Sequence, residues 1–367
     1  MKEFTLKFKV KEKKTMKKIL LFALVACVFV GCAGKSTQKD SGFSFVPSDF
    51  SFTKSVSPEA ASKIAIIIPE KVIKSYSNII INSSIAYALR QKAQVSVDVY
   101  LIGNEDESSV ASVLKILNDK DYRFAIAGFT IKGANALAKL GAGDISFYIP
   151  TLHKSNTNIK ADNIYFGGID YDAQIQRLLS ISNNQISSFY DNSALSNILH
   201  KKLLSKAQNA RGFKIDSDKI DYARFLRPIS AFENASVFLN TPLVKSAIVS
   251  SQLRANELVA YALLSTQIGY NPTIFSLTQP EDRQNLFIAN SIITKDAKLS
   301  YINETLGQSV DYNWVVYATS VGFDYFYTTM MNSGVKSLFS EKIQDNQVIY
   351  DIQIVQALEF GFELSGK

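Results

Sequence analysis

The 367-residue chain has few of the side chains that enzymes and metal sites use. It contains only two histidines and two cysteines. No Cys/His pair has the spacing of a zinc site, and the Gly-x-Ser-x-Gly turn of many hydrolases does not occur. A cut before Cys32 would leave one cysteine, which excludes an intramolecular disulfide. We therefore expect no metal, no cofactor and no catalytic residue, and a fold stabilised by its core alone.

A net positive charge is also nearly missing from the chain after residue 31. Residues 1–31 contain eight lysines and two glutamates and so carry +6 of the formal net charge of +7. The remainder is close to neutral, at about +1. This balance excludes the broad basic surface by which proteins bind nucleic acid.

A short apolar run stands near the N-terminus. Ile19 to Gly31 is apolar or small, Lys17 and Lys18 precede it, and Met16 is a better start than Met1. The run is shorter than the roughly 20 residues that cross a bilayer, so it indicates a secretory signal. Its end, Phe29-Val30-Gly31-Cys32, resembles the bacterial lipobox, which implies that Cys32 carries a lipid. The alternative is an ordinary secretory signal with a chance cysteine.

The segment after the signal is typical of a tether. Residues 32–60 begin with small polar side chains, and aromatic residues follow without helical spacing. Ala33 after the cysteine favours sorting to the outer membrane. We therefore expect an anchored protein that faces the periplasm, with the membrane as one partner.

The body alternates strand and helix patterns from residue 61 onward. The first series of strands is predicted at 63–68, 95–100, 124–128, 145–149 and 163–166. The second series is predicted at 185–190, 212–215, 236–240, 260–265 and 286–291. Strict alternation predicts an α/β fold with two doubly wound parallel-sheet lobes. Lobe 1 comprises 61–168 plus about 308–335, and lobe 2 comprises 169–307 plus about 336–367.

Two further patterns concern helices. An aromatic-rich helix is predicted at 311–331, either as core or as part of an interface. His200 is predicted at the end of a helix, where a cation favours the helix dipole.

The layout resembles the type I periplasmic binding proteins, and more narrowly the ligand-binding-like domain of the penicillin-binding-protein activator lipoproteins. The segments that carry the resemblance are strand patterns and the loops after them: 64–69, 124–128, 149–156, 163–166, 236–240 and 262–266. The resemblance implies a non-enzymatic protein that acts through periplasmic protein partners. A helical-repeat domain that precedes this domain in the activators is replaced here by the tether.

Ligands of open α/β sheets bind beyond the carboxyl ends of the strands. Hydroxyl and amide side chains there could hold a small polar ligand, or could only cap turns and helices. The candidates from the two sheets are Ser75, Thr130, His153, Ser155, Asn156, Tyr190, Asn240, Thr241, Thr266 and Gln267.

Three functions follow from these observations. The first is a lipid-anchored protein that binds envelope proteins and regulates cell-wall synthesis or an envelope assembly. The second is a receptor for an amino-acid-like solute. The third is a hydrolase, for which the sequence offers no nucleophile–base pair.

Overall fold

The computed structural model describes residues 2–4, 62–215 and 221–366. Cys32, the tether (32–60) and the predicted signal apart from residues 2–4 lie outside the described residues. The described residues form two mostly parallel sheets, each covered by helices on both faces. The predicted two-lobed, doubly wound α/β fold is confirmed.

The first sheet has eight strands. They are β1 (Lys2–Phe4), β2 (Ser62–Ile68), β3 (Val95–Leu101), β4 (Phe124–Ala127), β5 (Ser146–Ile149), β6 (Ile164–Phe166), β12 (Lys342–Gln344) and β13 (Gln347–Ile349). Their order is β1-β3-β2-β4-β5-β6-β13-β12, and the pairs from β3 to β13 are parallel. The strands at the two ends, β1 and β12, are antiparallel to their neighbours.

The apolar run of β2 is continuous because both faces of this central strand are covered. Ile64, Ile66 and Ile68 pack into the core on one face, whereas Ala65 and Ile67 pack into the core on the other. All five side chains are fully buried. Each buried isoleucine contributes about 2 kcal/mol of hydrophobic stabilisation, so the strand anchors the first lobe.

Helices cover both faces of the first sheet. They are α1 (Glu70–Ile73), α2 (Tyr76–Gln91), α3 (Glu107–Asp119), α4 (Ile131–Leu140), α10 (Ala297–Thr305) and α11 (Trp314–Tyr325). The helices α3 and α4 share one core with the sheet, and α2, α10 and α11 share the other. Asp106 caps α3, since its carboxylate accepts from the Ser109 N–H at 3.0 Å.

The second sheet has seven strands. They are β7 (Ile186–Asp191), β8 (Arg211–Ile215), β9 (Ser236–Asn240), β10 (Ala262–Ser265), β11 (Leu286–Asn290), β14 (Gln353–Ala357) and β15 (Phe362–Leu364). Their order is β15-β14-β11-β10-β9-β7-β8, with β14 antiparallel to β11 and β15 antiparallel to β14. The helices of this lobe are α5 (Tyr171–Leu179), α6 (Ala194–Lys206), α7 (Tyr222–Phe225), α8 (Leu243–Ala255) and α9 (Ile274–Leu277). The helices α5 and α6 lie on one face, and α8 and α9 lie on the other.

The lobe boundaries differ from the predicted ones in the C-terminal third. The prediction assigned 336–367 to lobe 2, but β12 and β13 belong to the first sheet, where β13 pairs with β6. The helix α10 also lies against α2 in the first lobe, where Arg90 bonds to Asp296 at 2.6 Å. Pairing between distant segments decides these positions, and local periodicity carries no signal for it.

The aromatic-rich helix is shorter than predicted and is buried. The Asn313 side chain accepts from the Val315 N–H at 3.0 Å, so α11 begins at Trp314 rather than at Asp311. The last turns, Phe326–Met331, are π-helical. Because residues 315–324 are buried, the core interpretation fits this helix.

Candidate functional site

The candidate residues occupy the carboxyl ends of the strands, which we call the first edge for the first sheet and the second edge for the second sheet. Thr130 follows β4 at the first edge and caps α4. Its N–H donates to Glu105 Oε2 at 2.9 Å, and its hydroxyl donates to Glu105 Oε1. Glu105 is 3% exposed and was not predicted. The bonds of Thr130 therefore stabilise the first lobe. Thr130 also borders an open groove of about 790 Å³ between α3 and α4.

Ser75 lies at the start of α2 and is exposed. Its side chain makes no capping hydrogen bond, so the hydroxyl is available to solvent. The next residue, Tyr76, is 49% exposed and lies near Tyr171 at the start of α5. Burial, with a smaller contribution from Tyr76, raises the pKa of Tyr171 well above its usual range. The two lobes thus approach each other beside Ser75.

His153, Ser155 and Asn156 form a second point where the lobes meet. His153 Nδ1 lies 2.8 Å from Ser155 Oγ, and its Nε2 lies 4.0 Å from the carboxylate of Asp170. Asp170 caps α5 by accepting from Ala173 N–H at 2.9 Å. Burial lowers the pKa of His153, and the charge of Asp170 opposes this shift. Ser155 and Asn156 are exposed.

The candidates after β9 are fully buried within the second lobe. Asn240 Nδ2 donates to Ser188 Oγ at 3.2 Å, and the Asn240 carbonyl accepts from the Ser196 hydroxyl. The Thr241 hydroxyl lies 2.9 Å from that of Ser246 in α8. Both candidates are 0% exposed. The Asn240 carbonyl and the Thr241 hydroxyl connect the sheet to its own helices, whereas Asn240 Oδ1 is buried without a hydrogen-bond partner.

Thr266 and Gln267 follow β10 and are also buried. Gln267 N–H donates to Gln174 Oε1 at 2.9 Å, and Gln267 Nε2 donates to Asn290 Oδ1 at 3.0 Å. The Ser291 N–H donates to Gln267 Oε1 at 2.7 Å. We call Gln174, Gln267, Asn290 and Ser291 the amide cluster. It joins the ends of β10 and β11 to α5.

Tyr190 is half-buried and packs against a polar group beneath α6. Its ring stacks on His200 at 3.8 Å between centroids. His200 lies in the middle of α6, not at its end as predicted, and is 7% exposed. Its Nδ1 lies 3.1 Å from Ser188 Oγ, and burial lowers its pKa. Ser188 is 0% exposed, and this burial of the serine–histidine pair argues against its use as a nucleophile and base.

Two of the segments that cross between the lobes are connected by a tyrosine. The Tyr350 hydroxyl donates to the Gly167 carbonyl at 2.8 Å, and the Tyr317 hydroxyl donates to the Glu341 carboxylate. The rings of Tyr270 and Tyr312 lie 5.4 Å apart. Of these contacts, only the Tyr350 bond joins two of the crossing segments, whereas the ring contact of Tyr270 with Tyr312 joins the second lobe to the first.

The described ranges contain neither a metal-binding cluster nor a membrane-spanning helix. Within residues 2–4, 62–215 and 221–366, no group of three His, Cys, Asp or Glu side chains could hold a metal ion. No helix in the same ranges has the length and apolar composition of a membrane span.

Comparison with known proteins defines the fold. No protein-family model and no curated protein matches the sequence. The LpoA C-domain from Haemophilus influenzae, described as a regulator of PBP1A, has a similar structure, with a TM-score of 0.55 and 8% sequence identity. The match covers 83% of this chain and 100% of that domain. The chain has the type I periplasmic-binding-protein-like fold.

Ligand-binding proteins share this fold. The leucine-, isoleucine-, valine-, threonine- and alanine-binding protein from Brucella ovis is 9% identical, with a TM-score of 0.58 and coverage of 83% of this chain and 94% of that one. An extracellular ligand-binding receptor from Desulfohalobium retbaense is 11% identical, with a TM-score of 0.56. The match covers 83% of this chain but only 59% of that receptor. At such identities the comparisons establish the fold alone.

Proposed function

We propose that this protein is a lipid-anchored, non-enzymatic periplasmic protein that acts by binding other envelope proteins. The observation that carries the proposal is the second edge, where Asn240, Thr241, Thr266 and Gln267 are at most 6% exposed. Three of them bond to side chains of their own lobe. A receptor cleft needs polar groups that point into it. Most polar atoms of this edge instead bond within their own lobe, and of the described side-chain atoms here only Asn240 Oδ1 and Thr266 Oγ1 have no partner.

A contact between the two lobes also favours a protein that serves as a binding scaffold. A solute receptor that closes around its ligand rotates its lobes about the crossing segments. Here Tyr270, which follows β10 in the second lobe, contacts Tyr312, which precedes α11 in the first lobe. This ring contact opposes rotation of the lobes.

Anchoring through Cys32 completes the proposal. A lipid on this residue would hold the body at the periplasmic face of the outer membrane, within reach of envelope proteins. Metabolic labelling with an alkyne fatty acid should label the wild-type protein and not a Cys32→Ala variant. A wild-type protein without label would contradict the anchor.

The partner claim is tested by reversible cross-linking in intact envelopes, followed by purification of the protein. We expect one envelope protein to be enriched with the wild type and to be lost from a sample cross-linked after detergent dispersal and dilution. Recovery of only lipids and abundant porins would overturn the proposal.

The second candidate function is a receptor for an amino-acid-like solute. It is favoured by the exposed Ser75, Ser155 and Asn156 at the first edge and by the shared fold with amino-acid-binding proteins. Equilibrium dialysis with radiolabelled amino acids tests it directly. Retention of one amino acid at a ratio near one per protein would favour the receptor over the scaffold.

A further inference from the structure

The end of the second lobe opposite the second edge presents apolar side chains to solvent beside carboxylates. Val259 is 65% exposed and Phe360 is 89% exposed. Glu257 and Glu281 are exposed next to them. We call these four residues the basal surface, and we propose that it docks a basic, partly apolar segment of a partner protein.

Sheet polarity brings the members of this surface to one end of the lobe. The strands β9, β10 and β11 are parallel, so Val259 before β10 and Glu281 before β11 lie at their shared amino ends. The strand β14 is antiparallel to β11, so its carboxyl end, which leads to Phe360, reaches the same place. The Asn234 N–H donates to the Val259 carbonyl at 2.8 Å and fixes the neighbouring loop.

Phe360 is held in place although its side chain contacts little of the protein. Arg283, which is 2% exposed, donates to the Leu358 carbonyl at 3.0 Å and to the Glu359 carbonyl at 2.8 Å. These bonds fix the turn between β14 and β15 on which Phe360 lies. A rigid, exposed aromatic side chain loses little entropy on binding, as the anchor residues of protein interfaces do.

A groove of about 250 Å³ lies beside this anchor, between Val259 and Glu281. Its lining includes Glu257 and the apolar Leu253 and Leu263. The groove's arginine, Arg254, bonds to the buried carboxylate of Asp282, so its charge is already compensated. Glu257 and Glu281 therefore leave the groove with an uncompensated negative charge.

The charge decides the kind of partner. An arginine or lysine side chain fits the groove, since its stem can cover Val259 while its head lies near Glu257 and Glu281. An anionic lipid surface would be repelled by the same carboxylates, which makes a membrane the wrong occupant. The surface thus fits a cationic protein segment with apolar residues for Phe360.

This inference rests on the proposed function, and its test separates the two. In cells, p-benzoylphenylalanine replaces Val259 or Phe360, and the exposed Leu89 of the first lobe serves as the control position. After irradiation, the linked partner and the linked peptide are identified by mass spectrometry. The double variant Glu257→Lys/Glu281→Lys is compared with Glu304→Lys, an exposed charge reversal in the first lobe.

We expect adducts from the two basal positions to one partner, through a peptide with more Lys and Arg than Asp and Glu. The basal double variant should lower the adduct yield about tenfold, because it replaces attraction by repulsion, and Glu304→Lys should not change it. Adducts only at Leu89, an acidic linked peptide, lipid adducts, or adducts to a second copy of this chain would each overturn the basal surface. Adducts at Leu89 alone would leave the proposed function standing, whereas no protein adduct at any position would count against both.

Discussion

At the first edge, Ser75, Ser155 and Asn156 are exposed to solvent, whereas at the second edge Asn240, Thr266 and Gln267 are almost wholly buried. The residue types are alike, and both sets follow parallel strands. The difference arises because the second edge is covered by α5, α6 and α8, whose polar side chains bond to it. Position at a carboxyl edge therefore does not by itself make a ligand site.

The largest difference in stability between the two edges is expected from a substitution in the amide cluster. Gln267→Ala would remove the buried side-chain bonds to Asn290 Oδ1 and from the Ser291 N–H, whereas the backbone bond from Gln267 N–H to Gln174 would remain. We expect a loss of about 3 kcal/mol in the free energy of unfolding, measured by urea denaturation. Asn156→Ala, at the exposed first edge, should change it by less than about 0.5 kcal/mol. Equal effects at the two sites would show that the edges do not differ.

A smaller effect is expected within the first edge itself. Thr130→Val removes the cap of α4 and the bond to Glu105, which should cost about 1 kcal/mol. Ser75→Ala removes a hydroxyl that makes no capping bond, so stability should stay within about 0.5 kcal/mol of the wild type. Thermal unfolding of the two variants compares them. If Ser75→Ala lowers the stability more than Thr130→Val does, the Ser75 hydroxyl is not free in solvent.

The smallest effect concerns pH. Burial lowers the pKa of His200 in the folded protein below its ordinary value of 6.5. The unfolded chain then binds more protons, so this stability is complete above pH 6.5 and is lost as the pH falls toward the folded pKa. The urea concentration at the midpoint of unfolding should decrease as the pH is lowered from 7.5 to 5.5. The decrease should be smaller in His200→Phe, which retains a ring against Tyr190. If the urea midpoint of that variant depends on pH as it does in the wild type, His200 is not the cause of the pH dependence.

His153 provides the matching measurement in the first lobe. Its pKa is also lowered by burial, but the charge of Asp170 opposes that shift. Replacing the carboxylate in Asp170→Asn should lower the pKa of His153 further, as followed by proton NMR of its ring. A rise in that pKa would contradict the assigned contact.

The sequence predicted the strands and helices better than the site. Continuous runs such as 64–68 and short alternations such as 95–100 identify strands because burial on two faces or one leaves a local pattern. The pairing of β13 with β6 left no such pattern, since it joins residues far apart in the chain. Glu105 was missed for the same reason, because its partner Thr130 lies on another strand's loop.

Burial of the candidate residues was the other part that sequence could not supply. Asn240 ends β9 and Asn156 follows β5, and the two look alike in sequence, yet Asn240 is 0% exposed and Asn156 is exposed. His200 was placed at a helix end because its helix was thought to stop there, whereas α6 continues to Lys206. Only the packing of helices on the sheet distinguishes such residues.

The most direct test of the central claim, that the second edge is closed by its own side chains, is a thermal shift measurement with amino acids and related polar solutes. A solute at about 100 times its dissociation constant stabilises its protein by about 2.7 kcal/mol. In a body of this size, that raises the melting temperature by several degrees. We predict no such rise with any compound class. A reproducible rise with one class that is abolished in Gln267→Ala or Asn156→Ala would contradict the account.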